Sequence, residues 1–332
     1  MSPTHALSPA FQDALRSENG ILHPLLREVR EDDTLLMGIR SGYVSVYYRG
    51  GQLLKIEGGG DASPGYAVTF DTDHDKGGEL PERLARHGCD GVLSKRLKTA
   101  DDTAQLVGVL SELKRIMDRS PKLQSALERE FQQVAARVNS RARSSNSSHY
   151  FIADIEHAYA DARYDMLGVR WRHDERQHRS RLVPVLFEVK YGIESLAGGA
   201  GLVKHLEKTL AQLAKPDFRA GLRANVTSLF NELTQLELIS FNTGTSTQPF
   251  SVVDNHVQIV FVLAEYVPHS SQLRPMLQAC DDMMETAAPK LEAEGLNVDL
   301  RFASASLCGY AMYECTMLTT DQVRKLLDAW DA

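Results

Sequence analysis

The chain has 332 residues, 43 % of them hydrophobic, with 44 acidic side chains against 37 Lys plus Arg and a formal net charge of −7. These proportions belong to an ordinary globular protein and exclude collagen-like, low-complexity and wholly disordered chains. A mildly acidic chain is not coated with a phosphate-binding surface, so any nucleic-acid site has to be a local basic patch.

At roughly 100–200 residues per domain, the length predicts two domains. The start, Met1 to Gly20, has no positively charged segment followed by an apolar run, and no stretch of about 18 consecutive apolar residues occurs anywhere. Cys89, Cys280, Cys308 and Cys315 are far apart and show no metal-ligand spacing. A cytoplasmic protein with reduced thiols and no membrane partner is expected.

In chain order, Thr34 to Arg40 and Tyr43 to Ile56 are rich in β-branched and aromatic residues, and Gly50-Gly51 supplies a hairpin turn. Glu57 to Gly65 interrupts the strands, Tyr66 to Phe70 adds another, and Asp102 to Asp118 has helical spacing. This part is a small α+β unit. Lys122 to Asn139 then predicts a helix, the polar stretch Arg141 to Ser148 a break, and Tyr150 to Tyr159, Arg163 to Trp171 and Leu182 to Tyr191 three strands. Two helices, Gly201 to Ala214 and about Phe218 to Leu238, precede the apolar strand Val257 to Tyr266. A long helix from about Ser271 to Glu294, strands at Val298 to Ala305 and Tyr310 to Met317, and a helix from Thr320 close the chain. With the extra helix set aside, the middle has the order α-β-β-β-α-β.

Within that order the second strand carries Asp165 and the third carries Phe187-Glu188-Val189-Lys190. Alternation puts Glu188 and Lys190 on one face and Phe187, Val189 and Tyr191 on the other. A carboxylate and an ammonium in an otherwise apolar strand are costly unless they are paired or bind something. One reading is an ion pair at a sheet edge; the other is a site.

These residues in this element order resemble the PD-(D/E)XK nuclease superfamily. Asp165 matches its acid and Glu188-Val189-Lys190 its ExK, with 22 residues between Asp165 and Glu188. The resemblance covers about residues 121–266; Tyr164 stands where the name-giving proline would be. It implies an Mg²⁺ or Mn²⁺ ion held by Asp165 and Glu188, with Lys190 acting on the attacking water or on the phosphoryl charge.

Helix phase at 100° per residue sets Glu130, not Glu128, in the middle of the stripe Leu123, Leu127, Val134 and Val138. The resemblance implies Glu130 as a third acid of the metal site; the alternative is an ion pair with an arginine such as Arg163. On the helix after Gly201, His205 and Gln212 flank the inner stripe, and the resemblance makes His205 the stronger candidate for a place near the phosphate. Gly198 to Gly201 lacks the lysine and hydroxyl of a Walker A loop, so nucleotide binding is not expected.

Arg172, Arg176, Arg179 and Arg181 lie between the two motif strands and are the candidate phosphate grip; a solvated hairpin loop is the alternative. Asp71 to Asp75, with Glu82, has part of a calcium-loop pattern, but Lys76 occupies the glycine position.

The expected fold is α/β: a mixed sheet flanked by helices with a restriction-endonuclease-like α-β-β-β-α-β core, preceded by a small α+β domain. The expected division is residues 1–120, with no assigned role, and residues 121–332. The expected activity is metal-dependent phosphodiester cleavage, of DNA first of all. The alternative is a catalytically silent member of that fold that binds nucleic acid or protein. A homodimer is left open by the long helix from Ser271.

Overall fold

The computed structural model describes residues 5–59, 64–141, 143–159, 162–197, 201–241, 248–265, 271–305 and 317–331. It is a mixed α/β protein with two sheets flanked by helices. Its contacts divide it into two compact units, one of residues 5–137 and 232–239, the other of residues 138–231 and 240–332.

The first unit opens with helices α1 (Pro9–Arg16) and α2 (His23–Glu31). A four-stranded antiparallel sheet follows: β1 (Leu35–Ile39), β2 (Tyr43–Tyr48), β3 (Gly51–Gly58) and β4 (Tyr66–Thr69), in that spatial order. Arg49 at φ 49° and Gly50 at φ 74° form the β2–β3 turn, the left-handed pair that matches the twist of a tight hairpin. Next come α3 (Leu80–Arg86), α4 (Ala100–Gly108), α5 (Leu110–Asp118), α6 (Pro121–Gln124) and α7 (Leu127–Ser140).

Two single helices of the sequence reading are each broken here. The first turns at Val109 (φ −104°, ψ 1°). The second stops at Ser125, whose hydroxyl bonds the carbonyls of Pro121 (3.1 Å) and Lys122 (3.2 Å). Back-bonding of this kind competes with helix continuation.

Gly50 also lets α7 approach. Its N–H donates to Gln133 Oε1 at 2.6 Å, and a Cβ there would lie 2.2 Å from the Arg129 carbonyl carbon. Residues 232–239 join this unit through Glu232, whose carboxylate accepts the Leu7 N–H (3.2 Å), and through the Leu236 carbonyl, which accepts from Arg30 (2.9 Å).

In the second unit, β5 (Tyr150–Tyr159) pairs antiparallel with β6 (Ala162–Arg170), and β6 antiparallel with β7 (Val183–Tyr191). α8 (Leu202–Leu213) and α9 (Pro216–Gln235) then cross to β8 (His256–Ala264), parallel to β7. α10 (Leu273–Ala293) crosses to β9 (Asn297–Ala305), parallel to β8, and α11 (Thr320–Asp331) follows. The sheet order is β5-β6-β7-β8-β9. Parallel neighbours need such helical crossovers, and the central strand they create is buried on both faces. Accordingly β7 is buried from Val183 to Lys190. The expected strand at Tyr310 to Met317 lies, apart from Met317, outside the described residues, as do Cys308, Cys315 and Gly198 to Ala200.

Candidate active site

β7 brings the anomaly of the sequence into the centre of the sheet. Alternation holds: Lys190 Nζ reaches back to Glu188 Oε1 at 2.8 Å, while the Phe187 ring, on the other face, meets Tyr150 edge-on. The β7–β8 register sets Phe261 beside Glu188 and Leu263 beside Lys190, so the charged pair is flanked by apolar side chains. Both side chains are buried, at 9 % and 4 % exposure.

Asp165 enters from the neighbouring strand. The β6–β7 ladder ends at Met166↔Phe187, and one further step of the same register sets Asp165 opposite Glu188. At that point Asp165 Oδ2 accepts the Val189 N–H at 2.7 Å. A carboxylate thus stands in for the ladder's backbone acceptor, with the extra strength of an ionised partner. It lies where β6 stops pairing with β7, toward the carboxyl end of β7, the end at which open α/β sheets form their ligand crevices.

The third contribution comes from α8. Its buried stripe, Leu202, Leu206, Thr209, Leu210 and Leu213, anchors it and leaves His205 on the flank, where Nδ1 meets Glu188 Oε1 at 2.6 Å. Glu188 Oε1 therefore accepts a hydrogen bond from Lys190 and is closely approached by His205, and Oε2 takes no hydrogen bond among the described residues. Tyr164, beside Asp165 in sequence, is buried; burial first of all, and the Glu188 charge in addition, raises its phenol's pKa.

Lys190 and His205 thus lie against Glu188 Oε1, and Asp165 bonds the backbone of the adjacent Val189. Hard oxygen donors from two carboxylates are the ligands Mg²⁺ prefers, and Mg²⁺ is commonly held by one or two carboxylates with water completing its shell. The donor set fits such an ion, although Asp165, Glu188 and His205 do not place one ligand atom each within 4.8 Å of the others. The site is a pair of acids and not a three-ligand cage.

Glu130 is a correction. It belongs to the first unit, where Arg49 on the β2–β3 turn grips both its oxygens, Nε to Oε1 at 2.9 Å and a terminal nitrogen to Oε2 at 3.1 Å. The expected stripe is not the buried face: Leu127 is 43 % exposed, α7 buries Phe131, Ala135 and Ala136, and the part-exposed Glu130 has a bidentate arginine as its partner. Arg163 pairs instead with Glu156.

The phosphate grip is corrected in part. Arg176 lies over the Phe151 ring (5.2 Å) and the Trp171 ring (5.7 Å), and donates to the carbonyls of Asn146 and Ser148. Arg179 lies over Phe250 at 4.6 Å and donates to the Gln248 carbonyl at 2.9 Å. These two hold the loop onto an aromatic cluster of Phe151, Trp171, Phe230, Phe241 and Phe250. Arg172 is paired with Asp174 at 3.1 Å, and Arg181 is exposed. Gln212 accepts from Lys215 at 3.2 Å.

The acidic turn Asp71 to Asp75 has structural partners of its own. Lys122 binds Asp71 at 2.7 Å, and Asp75 caps α3 by accepting the N–H groups of Glu79 (2.9 Å) and Leu80 (3.0 Å). Among the described residues these acids form no three-ligand group.

One pair escaped sequence reasoning. Asp154 and His157 on β5 are fully buried and joined Oδ2 to Nδ1 at 2.8 Å. Three residues apart on a regular strand, they would point to opposite faces. A register shift between Ile152 and Asp154 and the positive φ of Glu156 (52°) bring them together, and no periodicity signals such a bulge.

No family model, curated protein or solved structure matches this chain.

Proposed function

We propose that the protein is a metal-dependent phosphodiester hydrolase acting on nucleic acid, with DNA as its first substrate class. The observation that supports this is Asp165 on the Val189 N–H where the β6–β7 ladder ends, next in sequence to Glu188, with Lys190 and His205 both against Glu188 Oε1. A buried ion pair adds little net stability over well-packed apolar residues, so stability alone is a weak reason for it. The order β5-β6-β7-β8, antiparallel twice and then parallel, with helices on the crossover, supports a restriction-endonuclease-like core.

In this reading Asp165 and Glu188 hold the cation. When bound, Mg²⁺ or Mn²⁺ supplies charge neutralisation at the phosphoryl group and acidifies water. The Lys190 ammonium orients the attacking water or offsets charge developing on the phosphate. Arg181 is the exposed arginine of the 172–181 loop that would meet the substrate backbone.

The second reading, a silent module that binds nucleic acid or protein, is favoured by one feature: Glu188 is already paired with Lys190 at 2.8 Å, with His205 against the same oxygen. Nicking of a supercoiled plasmid separates the readings. Lys190→Met is expected to keep Mn²⁺ binding while losing about 10²–10³ in rate, and Asp165→Ala to lose both. A wild type that nicks no DNA with any divalent cation supports the module. Equal nicking in EDTA defeats the metal logic.

A further inference from the structure

We infer that the open edge of β4, in the first unit, is a docking groove for an extended acidic peptide of a partner protein. The inference is independent of the nuclease reading.

β4 is the outer strand of its sheet and pairs with β3 on one side. On its other side Tyr66 and Leu97 exchange backbone bonds, N–H to carbonyl, at 2.9 and 2.8 Å. Backbone groups two residues apart along a strand point the same way, so the Val68 N–H and C=O face this edge too. An antiparallel continuation from Leu97 would set Lys95 opposite Val68. Instead the chain turns away there: the Gly91 carbonyl accepts the N–H groups of Ser94 and Lys95, both at 3.0 Å. The outward pair of Val68 is left without a hydrogen bond among the described residues, on a residue only 7 % exposed. Buried backbone groups left open in this way are costly, and a ligand that pairs with them removes the cost.

Beside this pair lies a cavity of about 340 Å³, lined mainly by Val68, Phe70, Leu93 and the α3 residues Leu80, Pro81 and Leu84. An apolar pocket along an open strand edge is what strand addition uses: main-chain bonds hold the peptide, and an alternate side chain fills the pocket. A helix cannot serve, because its N–H and C=O groups are spent internally.

The rim sets the charge of the occupant. Lys95 and Lys98 are exposed, and a Cβ on Gly91, in the cavity wall, would lie 3.9 Å from Lys95 Cε. The near carboxylate, Asp102, is taken up by the Lys98 and Thr99 N–H groups and the Thr99 hydroxyl. The acids of the opposite wall are paired: Glu79 with Arg83, Glu82 with Arg86, and Asp71 and Asp73 with Lys122. The charge left over is positive and fits an acidic peptide.

The test pans a random heptapeptide library on the full chain, then titrates the enriched sequences as synthetic peptides by fluorescence anisotropy. Enriched peptides are expected to set an apolar residue between polar ones, to carry at least one acid, and to slow amide hydrogen exchange over residues 66–70. Methylating alternate peptide nitrogens should abolish binding in one phase and spare it in the other, because only every second residue pairs with the edge. Lys95→Glu combined with Lys98→Glu should weaken binding about three- to tenfold. Val68→Pro, which removes the outward N–H, should abolish it; the lysine variant and the methylated peptides decide the matter should that protein fail to fold. The proposal is overturned by a library that enriches no peptide, or only basic or helix-forming ones. It is equally overturned by binding that leaves residues 66–70 unprotected or ignores the methylation phase, and by a cavity that takes up anilinonaphthalenesulfonate but no peptide.

Discussion

The sharing of Glu188 Oε1 by Lys190 and His205 predicts a definite non-additivity in stability without any metal. Removing Lys190 as Lys190→Met deletes one charge-assisted hydrogen bond, worth about 1.5–3 kcal/mol. It also relieves the desolvation of an ammonium only 4 % exposed, so the net loss should be about 1 kcal/mol. His205→Ala removes the other close polar partner, but at 25 % exposure water replaces part of it, and about 1 kcal/mol is expected. In each single variant the remaining partner still faces the oxygen. The double variant leaves a carboxylate 9 % exposed with neither, and breaking a buried charge away from its partners costs about 3–5 kcal/mol or more. The double loss should therefore exceed the sum of the singles by about 1–2 kcal/mol. Urea denaturation of the four proteins in EDTA at pH 7 measures it. Additivity within about 0.5 kcal/mol would refute the shared-oxygen geometry.

Glu130→Gln is expected to leave Mn²⁺ affinity and any cleavage at wild-type levels while costing about 1 kcal/mol in stability, since it loses only the charge of a part-exposed fork with Arg49; loss of Mn²⁺ binding would make Glu130 a cation ligand after all. Gly50→Ala should destabilise by about 2–4 kcal/mol in chemical denaturation, because φ 74° is strained for alanine and the new methyl would sit 2.2 Å from the Arg129 carbonyl carbon. His74 supplies a pH prediction: burial holds its pKa below the ordinary 6.5, despite the opposing pull of Asp71. The unfolded chain then binds the proton more tightly, so this contribution is present above about pH 6.5 and is lost as pH falls through the lowered folded value. The wild-type denaturation midpoint should therefore drop more between pH 7 and pH 5 than that of His74→Gln, and parallel curves would contradict it.

The parts of the molecule legible in the sequence are those governed by local periodicity. β5 to β9 stand out as apolar or alternating runs because a sheet with helical crossovers buries its central strands on both faces. The α8 stripe and the flank position of His205 follow from helix phase alone. Helices α1, α2 and α3 went unread, although Ser8-Pro9 marks the first with a capping serine and a proline at its first position. Each is only seven to nine residues long, too short for a period of 3.6 to declare itself.

Partners are another matter, and two glutamates show why. Glu130 and Glu188 are both carboxylates placed by sequence periodicity among apolar residues, and such a pattern implies that each is met by a cation. For Glu188 one donor lies two residues along its own strand, so alternation is enough to name Lys190. For Glu130 the donor, Arg49, lies 81 residues away at a hairpin turn. A left-handed Arg-Gly pair brings the chain round there for reasons unrelated to the glutamate. The same logic governs the arginines. Counting charge between β6 and β7 finds Arg172, Arg176, Arg179 and Arg181 alike. Only the folding of Phe151, Trp171 and Phe250 into one cluster separates the two that clamp the loop from the exposed Arg181. A guanidinium lying over an aromatic face and donating to carbonyls has its planar fork already engaged, and engaging a phosphate would cost both interactions. Arg181→Ala should therefore weaken nucleic-acid binding without lowering stability, whereas Arg176→Ala should lower stability whether or not nucleic acid is bound.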